Sequence, residues 1–314
     1  EMTSSLVGSE MCIRDRFGAE GVWVSVFTAI SAFCNAGFDL FGRFGAYSSF
    51  VPYVNNYYVQ AVVMFMIMAG GLGFMVWVEL AEYRKKRHLS LHAKVVLQFS
   101  AIFWVGGAVL LALLEWSNPK TMGGLSVPSK LMAALFQSVS TRTAGMNTID
   151  LAACSPISKL LMSVLQFIGA APGSTGGGVK VTTFAVLILT IRSVAQGRDD
   201  CVIGGHHIES KTVYRALTII VLGAVAAFGS AVVVYYNTAE TVSVIDCIFE
   251  SCSAFGTVGL SVGVTGQLNT GAKLLYMACM FMGRVGPVSL AISLTAKPDD
   301  NKRKVLPVGH INVG

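Results

Sequence analysis

The chain has 314 residues, of which 54% are hydrophobic and 13% charged, and its formal net charge at pH 7 is +6. Soluble domains carry about 25% charged residues, so this chain has too few polar side chains to cover a soluble globule of its size. Its apolar residues gather in runs such as 95–116 and 213–236, which reach the ~20 residues that cross a hydrocarbon core about 30 Å thick. The composition therefore excludes a soluble protein and predicts an all-α polytopic membrane protein.

The amino-terminal segment differs from everything that follows it. Residues 1–16 read "EMTSSLVGSEMCIRDR". This stretch lacks the apolar core of a signal peptide and is too polar to span a bilayer. It resembles a translated sequencing-adaptor read, and we expect it to be non-native.

Five apolar runs are long enough to cross a membrane, and three others are too short. Runs of the shorter length are typical of buried or re-entrant helices. The long runs cover residues 57–81, 95–116, 156–191, 213–236 and 272–295. The short runs cover residues 22–34, 131–139 and 243–254, and each is followed by a long run.

The distribution of positive charge predicts the orientation of these crossings. Thirteen lysines and arginines follow the first, third and fifth long runs, whereas five lie in the opposite loops. Because Lys and Arg concentrate on the cytoplasmic side of a membrane, the short runs are expected to enter from outside. The same asymmetry predicts a cytoplasmic carboxyl terminus, and the net charge requires no nucleic-acid partner.

The three short runs share one pattern. Residues 27–38 read "FTAISAFCNAGF", residues 136–146 read "FQSVSTRTAGM", and residues 249–260 read "FESCSAFGTVGL". Each begins with Phe, carries Ser four residues later, and reaches a Gly that is followed by a large apolar residue. These glycines (Gly37, Gly145 and Gly259) are 108 and 114 residues apart, which predicts a repeating unit of about 110 residues.

A short helix that ends in a glycine turn suits an ion pathway. Non-helical backbone is tolerated at membrane depth only where protein buries it or water lines it. Several such turns around one axis would present backbone carbonyls that replace the hydration shell of a cation, and glycine permits both a positive φ and a close approach. Glycine is also common in ordinary membrane helices, so the prediction depends on three copies at one period.

The long run 156–191 requires an interruption. As one helix it would be about 54 Å long, and its middle reads "GAAPGSTGGGVK". Broken helices at the midplane are typical of transport sites, and an intramembrane charge such as Lys180 usually faces an aqueous path. The small residues predict a loop that exchanges between arrangements. An alternative is a phosphate-binding loop, GxxxxGK[ST], but Val179 separates Gly178 from Lys180 and no strand precedes the loop.

Several of these segments resemble one known family. "SAFCNAGFDLFG", "STRTAGMNTID", "APGSTGGGVKVTTF", "SAFGTVGLS" and "FMGRVGPVSL" are similar to the membrane subunit of the Ktr potassium uptake systems (KtrB-like), within the Trk/Ktr/HKT superfamily. The resemblance runs from about residue 17 to the end. It implies four repeats of helix, pore helix and helix around one pore, and potassium uptake across the plasma membrane rather than an enzymatic activity. It also implies a homodimer with a cytoplasmic nucleotide-binding regulatory ring (KtrA-like).

The resemblance also implies the site residues. The second, third and fourth filters would be Asn35, Ala36 and Gly37, then Thr143, Ala144 and Gly145, then Thr257, Val258 and Gly259. The gate would consist of Gly173, Ser174, Thr175, Gly176, Gly177, Gly178 and Lys180, together with Arg284. A structural ion pair of Arg284 with Asp246 or Glu250 is the alternative for that arginine. Potassium at the filter is the only ion expected, with no cofactor in this chain; a nucleotide-binding or non-transporting membrane protein is the alternative function.

The expected organisation follows from the repeat. We expect a partial second repeat at 17–83, a third repeat at 84–198 with the broken helix, a fourth repeat at 199–296, and a cytoplasmic tail at 297–314. The helix spacing of the third repeat, applied to Gly37, places the corresponding helix before residue 1. The first repeat and the opening helix of the second are therefore expected to be missing, which would make the chain a fragment.

Overall fold

The computed structural model describes residues 20–44, 48–197, 201–203, 205–238 and 241–286. The segment 1–16 and the tail 297–314 lie outside the described residues. The described part of the chain is mainly helical. In chain order its helices are α1 (Gly21–Phe33), α2 (Tyr57–Gly71), α3 (Phe74–Lys86), α4 (Leu91–Glu115), α5 (Val127–Ser140), α6 (Pro156–Phe167), α7 (Val181–Ala195), α8 (Ser210–Asn237), α9 (Val244–Gly256) and α10 (Thr270–Val285).

Two of these helices can cross a membrane without interruption. Helices α4 and α8 have 25 and 28 residues, or about 38 and 42 Å at 1.5 Å per residue, and both are strongly apolar. The bent pair α2 and α3 is also long and apolar enough to cross a membrane when the two helices are taken as one span. The predicted all-α membrane fold is confirmed.

The first predicted crossing, 57–81, is not a straight helix. Its two halves, α2 and α3, meet at 99° because the chain turns at Gly73, where φ is +83°. The next residue, Phe74, donates its backbone N–H to the carbonyl of Gly173 over 3.2 Å. A Cβ on Gly73 would lie 2.5 Å from the carbonyl oxygen of Pro172. The bend therefore brings this helix pair against the interrupted part of the run 156–191.

That interruption is present as predicted. Helix α6 ends at Phe167 and α7 begins at Val181, so residues 168–180 form a loop between two short helices. The last predicted crossing, 272–295, is described only in part. Helix α10 ends at Val285 before Gly286, whose φ is +97°, and the rest of that run lies outside the described residues.

The three short runs form helices that are too short to cross. Helices α1, α5 and α9 have 13 or 14 residues, and α9 is buried along most of its length. Pro128 stands in the first turn of α5, where its missing N–H costs no hydrogen bond. Helix α5 packs between α4 and α2, while α9 packs between α6, α8 and α10.

One small sheet was not predicted. Strands β1 (Cys201–Ile203) and β2 (His206–Ile208) pair antiparallel between α7 and α8. The sequence "CVIGGHHI" does carry the signal, because a Gly-Gly pair between short β-prone segments favours a tight hairpin. Each strand has only three residues, so the helical character of the described chain is unchanged.

Candidate functional site

The three glycine turns that follow α1, α5 and α9 meet at one place. A Cβ built on Gly37 would lie 2.6 Å from the carbonyl oxygen of Ala144, and one on Gly145 would lie 2.1 Å from that of Val258. The Cα of Gly145 is 3.9 Å from the Cβ position of Gly259. Residues 108 and 114 positions apart in sequence are thus direct neighbours, and a side chain larger than hydrogen does not fit at Gly37 or Gly145.

The three turns have the same backbone conformation. The first and third residues of each have positive φ, at +49° and +75° for Asn35 and Gly37, and the residue between them does not. The other pairs are Thr143 at +82° with Gly145 at +78°, and Thr257 at +51° with Gly259 at +92°. Asn tolerates this conformation, whereas for β-branched Thr it is strained, and such strain concentrates at functional sites.

This conformation separates the donors of each turn from its acceptors. Alternation of the backbone handedness gathers successive N–H groups on one side, which leaves the carbonyls on the other. The N–H groups of Ala36, Ala144 and Val258 donate to the carbonyls of Ser31, Ser140 and Ser253 at 2.9–3.0 Å. Within the described residues, no donor reaches the carbonyl oxygens of the nine turn residues. The turns therefore present unpaired carbonyls where they converge.

The serine of each repeat closes its turn. Ser31 donates its hydroxyl to the carbonyl of Phe38, and Ser253 donates to that of Leu260, both over 2.7 Å. Ser140 does the same to Met146. In each case the acceptor is the large apolar residue that follows the glycine. The sequence pattern included these serines, but this role was not deduced from it.

The loop 168–180 is closed at its base. The N–H of Gly169 donates to the carbonyl of Val179 over 2.8 Å, and the N–H of Val179 donates to that of Phe167 over 3.1 Å. A Cβ on Gly169 would lie 1.8 Å from the carbonyl oxygen of Gly177. The loop is thus compact, and backbone hydrogen bonds hold its two ends together.

A buried arginine that the sequence reasoning missed supports this base. Arg142, on the turn after α5, is only 4% exposed and donates Nη2 to the carbonyl of Gly169 over 2.8 Å. Its guanidinium carbon lies 5.4 Å from the ring centre of Phe103 and 5.7 Å from that of Trp104, within cation–π range. The available signal was a charged residue in the middle of "STRTAG", directly after the short apolar run 131–139.

The tip of the loop lies against the three turns, and its residues contact the turns in the order in which the turns occur along the chain. Thr175 Oγ1 accepts a hydrogen bond from Asn35 Nδ2 over 2.8 Å. A Cβ on Gly176 would lie 2.3 Å from Thr143 Oγ1, and one on Gly177 would lie 2.2 Å from Thr257 Oγ1. Three successive loop residues therefore contact the first residue of three successive turns.

The remaining loop residues make other contacts. Gly173 accepts from the N–H of Phe74, and the Ser174 hydroxyl donates to Ala171 within the loop over 2.5 Å. The N–H of Gly178 donates to the carbonyl of Gly283 on α10 over 3.1 Å. The N–H of Thr175 donates to the carbonyl of Gly70, so the N–H groups of Thr175 and Gly178 are engaged within the protein and are not free to bind a phosphate.

Both predicted intramembrane cations reach loop carbonyls. Lys180 donates Nζ to the carbonyl of Gly176 over 2.6 Å, and Arg284 donates Nη1 to the carbonyl of Thr175. The alternative ion pair for Arg284 is wrong, because its two candidate partners are engaged elsewhere. Asp246 accepts from Lys159 Nζ over 2.7 Å, and Glu250 accepts from the segment 261–265 after the third turn.

Short buried helices whose terminal turns meet between longer apolar helices define the class of pore-loop membrane proteins. The particular family follows from comparison of the sequence with known proteins. The chain belongs to the TrkH family of cation transport proteins, whose family model matches residues 5–304. The predicted resemblance to the Ktr membrane subunits is thereby confirmed.

Individual relatives agree with this assignment. The chain is 37% identical over 281 residues to the potassium/sodium uptake protein NtpJ of Enterococcus hirae, covering 89% of this chain and 61% of that protein. It is 32% identical over 314 residues to the Ktr system potassium uptake protein B of Bacillus subtilis, covering 100% of this chain and 68% of the relative. It is 38% identical to the protein of the same name from Vibrio alginolyticus, covering 89% of this chain and 60% of that protein. The chain thus spans about three fifths to two thirds of the length of these relatives.

A solved structure has the same fold. The crystal structure of the potassium transporter TrkH from Vibrio parahaemolyticus superposes with a TM-score of 0.71 at 19% identity, covering 92% of this chain and 62% of that chain. At this identity the match establishes the helical membrane architecture alone.

Proposed function

We propose that this chain contributes to potassium uptake across the plasma membrane. The observation that carries the proposal is the convergence of three glycine turns whose carbonyls have no hydrogen-bond donor within the described chain. Carbonyl dipoles gathered around one point replace the water that a potassium ion loses. The names of the relatives, potassium or potassium/sodium uptake proteins, support the same ion.

In this proposal the turns form the selectivity filter. Asn35 to Gly37, Thr143 to Gly145 and Thr257 to Gly259 would each contribute one side, with potassium as the transported ion and no other cofactor. A fourth turn, implied by the family resemblance, would complete the ring between Gly259 and Gly37. The positive φ of the glycines and the close backbone contacts at Gly37 and Gly145 explain why glycine ends each turn.

The loop 173–180 would be the gate. Its tip lies directly against the first residue of each of the three turns, where it would obstruct an ion path that continues from the filter. Lys180 and Arg284 add positive charge to the loop. Like charges repel more strongly where water is excluded, so these side chains would raise the barrier for a cation while the loop is in place.

The assembly is proposed from the family and from charge. The basic residues after the first, third and fifth predicted crossings favour a multi-pass membrane protein with a cytoplasmic carboxyl terminus, and relatives from bacteria favour a bacterial plasma membrane. The relatives that are named as part of a Ktr system support a partner component, and the family resemblance implies a homodimer that works with a cytoplasmic nucleotide-binding regulatory ring. Regulation would then reach the gate from the cytoplasmic side.

The proposal is tested by measuring potassium and sodium flux in two variants of the protein, Gly145→Ser and Gly259→Ser. The protein is expressed from its complete gene, reconstituted in liposomes, and assayed for potassium and sodium influx. Both variants should lose preference for potassium, and Gly145→Ser should lose more because its Cβ position lies 2.1 Å from a carbonyl oxygen, whereas that of Gly259 has only a Cα at 3.9 Å.

Gly106→Ser is the matched control. No atom lies within 4 Å of its Cβ position, so it should keep wild-type flux and preference. Wild-type ion preference in both filter variants would refute the filter. Absence of potassium flux in the wild-type protein would refute the transport function itself.

A further inference from the structure

Thr175 connects the loop to three other parts of the fold. Its N–H donates to the carbonyl of Gly70 over 3.3 Å, and its hydroxyl lies 3.1 Å from the carbonyls of both Phe33 and Gly70. The same hydroxyl oxygen accepts from Asn35, and the Thr175 carbonyl accepts from Arg284. Every polar group of this residue is engaged, so the tip of the loop is held at one point.

The contact with Asn35 differs from the other contacts between loop and turns. Within the described residues it is the one side-chain hydrogen bond between the loop tip (Thr175–Gly177) and the first residue of a turn, whereas Arg142 bonds the base of the loop. Thr143 Oγ1 and Thr257 Oγ1 are buried and have no hydrogen-bond partner there. They meet Gly176 and Gly177 by van der Waals contact alone, so in the described part of the chain the loop tip has a side-chain hydrogen bond to the first turn residue only at Asn35.

Asn35 is buried, and its backbone has the left-handed conformation that asparagine tolerates. It is 4% exposed, has a φ of +49°, and its Oδ1 has no hydrogen-bond partner in the described chain. Its amide is therefore oriented by the backbone turn and by Thr175. Movement of the loop tip must break that bond and leave the amide without its acceptor, which changes the inner end of this turn.

We infer that the Asn35–Thr175 hydrogen bond is the latch that holds the loop closed, and that Asn35 acts in gating as well as in the filter. The inference rests on the proposed function, because a latch matters only if the loop gates a path. A hydrogen bond between neutral groups contributes about 1 kcal/mol, so losing the latch should shift the ratio of open to closed loop about fivefold toward open.

Two readouts separate the latch from the transport function. Hydrogen exchange of the loop amides reports opening in the reconstituted protein whether or not ions pass, and potassium flux without the regulatory partner reports conduction. Asn35→Ala should raise the exchange rate of the loop and the unregulated flux about fivefold. Thr175→Val should raise both at least as much, because it also removes the bond from the Thr175 hydroxyl to the carbonyls of Phe33 and Gly70. Thr175→Ser, which keeps the hydroxyl, should restore the wild-type exchange rate.

The double variant decides whether the two residues act through one bond. If they do, Asn35→Ala combined with Thr175→Val should raise loop exchange no further than the larger single variant, because the bond can be lost only once. The matched control is Thr218→Val, whose hydroxyl bonds only the carbonyl of Tyr214 on its own exposed helix face.

Three results would overturn the latch. They are unchanged loop exchange in both single variants, fully additive effects in the double variant, and faster exchange with no rise in flux. The last result would leave the contact as a structural link with no part in gating. Absence of potassium flux in the wild-type protein would instead refute the transport proposal, while the exchange measurements would still decide whether the bond holds the loop.

Discussion

Gly176→Ala should wedge the loop away from the filter and raise potassium flux. The new Cβ would lie 2.3 Å from Thr143 Oγ1 and 2.6 Å from the Cβ of Ala170, about 1 Å inside ordinary contact. Thr143 is held by its strained turn at φ +82°, and Gly176 itself has no positive φ that would strain an alanine. The loop tip is therefore the part that moves.

The size of the effect follows from the cost of overpacking. Relief of a crowded contact of this kind is worth ~1–3 kcal/mol, which corresponds to about a 5- to 150-fold change in an equilibrium. Flux into proteoliposomes without the regulatory partner should rise within that range, and dependence on the partner should fall. Gly106→Ala, with open space at its Cβ position, should change neither quantity.

Wild-type behaviour of the Gly176→Ala variant would refute the proposed contact between the loop and the turns. If Gly176→Ala is produced at normal levels and keeps wild-type flux and wild-type dependence on the partner, the loop does not rest against the filter when closed. A general loss of folded protein is distinguished by the thermal unfolding midpoint, which should stay near the wild-type value if only the equilibrium between the closed and the open loop shifts.

Three further results are expected. Deletion of residues 174–178 should raise the maximal potassium flux and reduce its dependence on the nucleotide-binding partner, whereas shortening a merely structural segment would lower expression or flux and leave regulation intact. Ser253→Ala should weaken preference for potassium over sodium in competition flux assays, because it frees the Leu260 carbonyl that closes the last turn; an unchanged preference would contradict that role. Arg142→Ala should lower the thermal unfolding midpoint, because it removes a charged donor to Gly169 whose bond is worth about 1.5–3 kcal/mol; an unchanged midpoint would show that the loop base is held without it.

The repeat could be predicted from sequence because its signals are local and periodic. Phe and Ser recur at a fixed spacing and Gly follows five or six residues after the Ser. Each copy ends a run that is too short to cross, so three short helices and their turns were predicted directly. Resemblance then supplied the filter residues, which the structure brings together. The role of Ser31, Ser140 and Ser253 could not be predicted from the sequence. Each hydroxyl donates to the carbonyl after the turn glycine, and the position of that carbonyl depends on the three-dimensional course of the turn.

Backbone freedom explains only one of the three consecutive loop glycines at 176–178. Sequence reasoning ascribed Gly176, Gly177 and Gly178 to backbone freedom. Gly178 has a φ of +69°, but the other two have no positive φ and are needed because Thr143 and Thr257 approach too closely for a Cβ. Close approach depends on distant residues, so no local pattern reveals it.

Contacts between segments that are far apart in sequence account for the other misses. The bend at Gly73 depends on a hydrogen bond from Phe74 to Gly173, 99 positions away. Arg284 was assigned a possible carboxylate partner, yet it bonds a loop carbonyl 109 positions away. Charge alone suggested a salt bridge, whereas a loop with unpaired carbonyls offered an equally good acceptor.

The central claim, that the three turns bind the transported ion, is tested most directly by locating that ion. Crystals of the protein expressed from its complete gene and soaked in rubidium should show anomalous scattering between the carbonyl oxygens of Ala36, Ala144 and Val258, on the axis beside Gly37, Gly145 and Gly259. Excess sodium should not displace it if the turns select for potassium-sized ions. Under conditions in which the same preparation transports rubidium, absence of a peak between the turns, or a peak confined to another part of the molecule, would contradict the account.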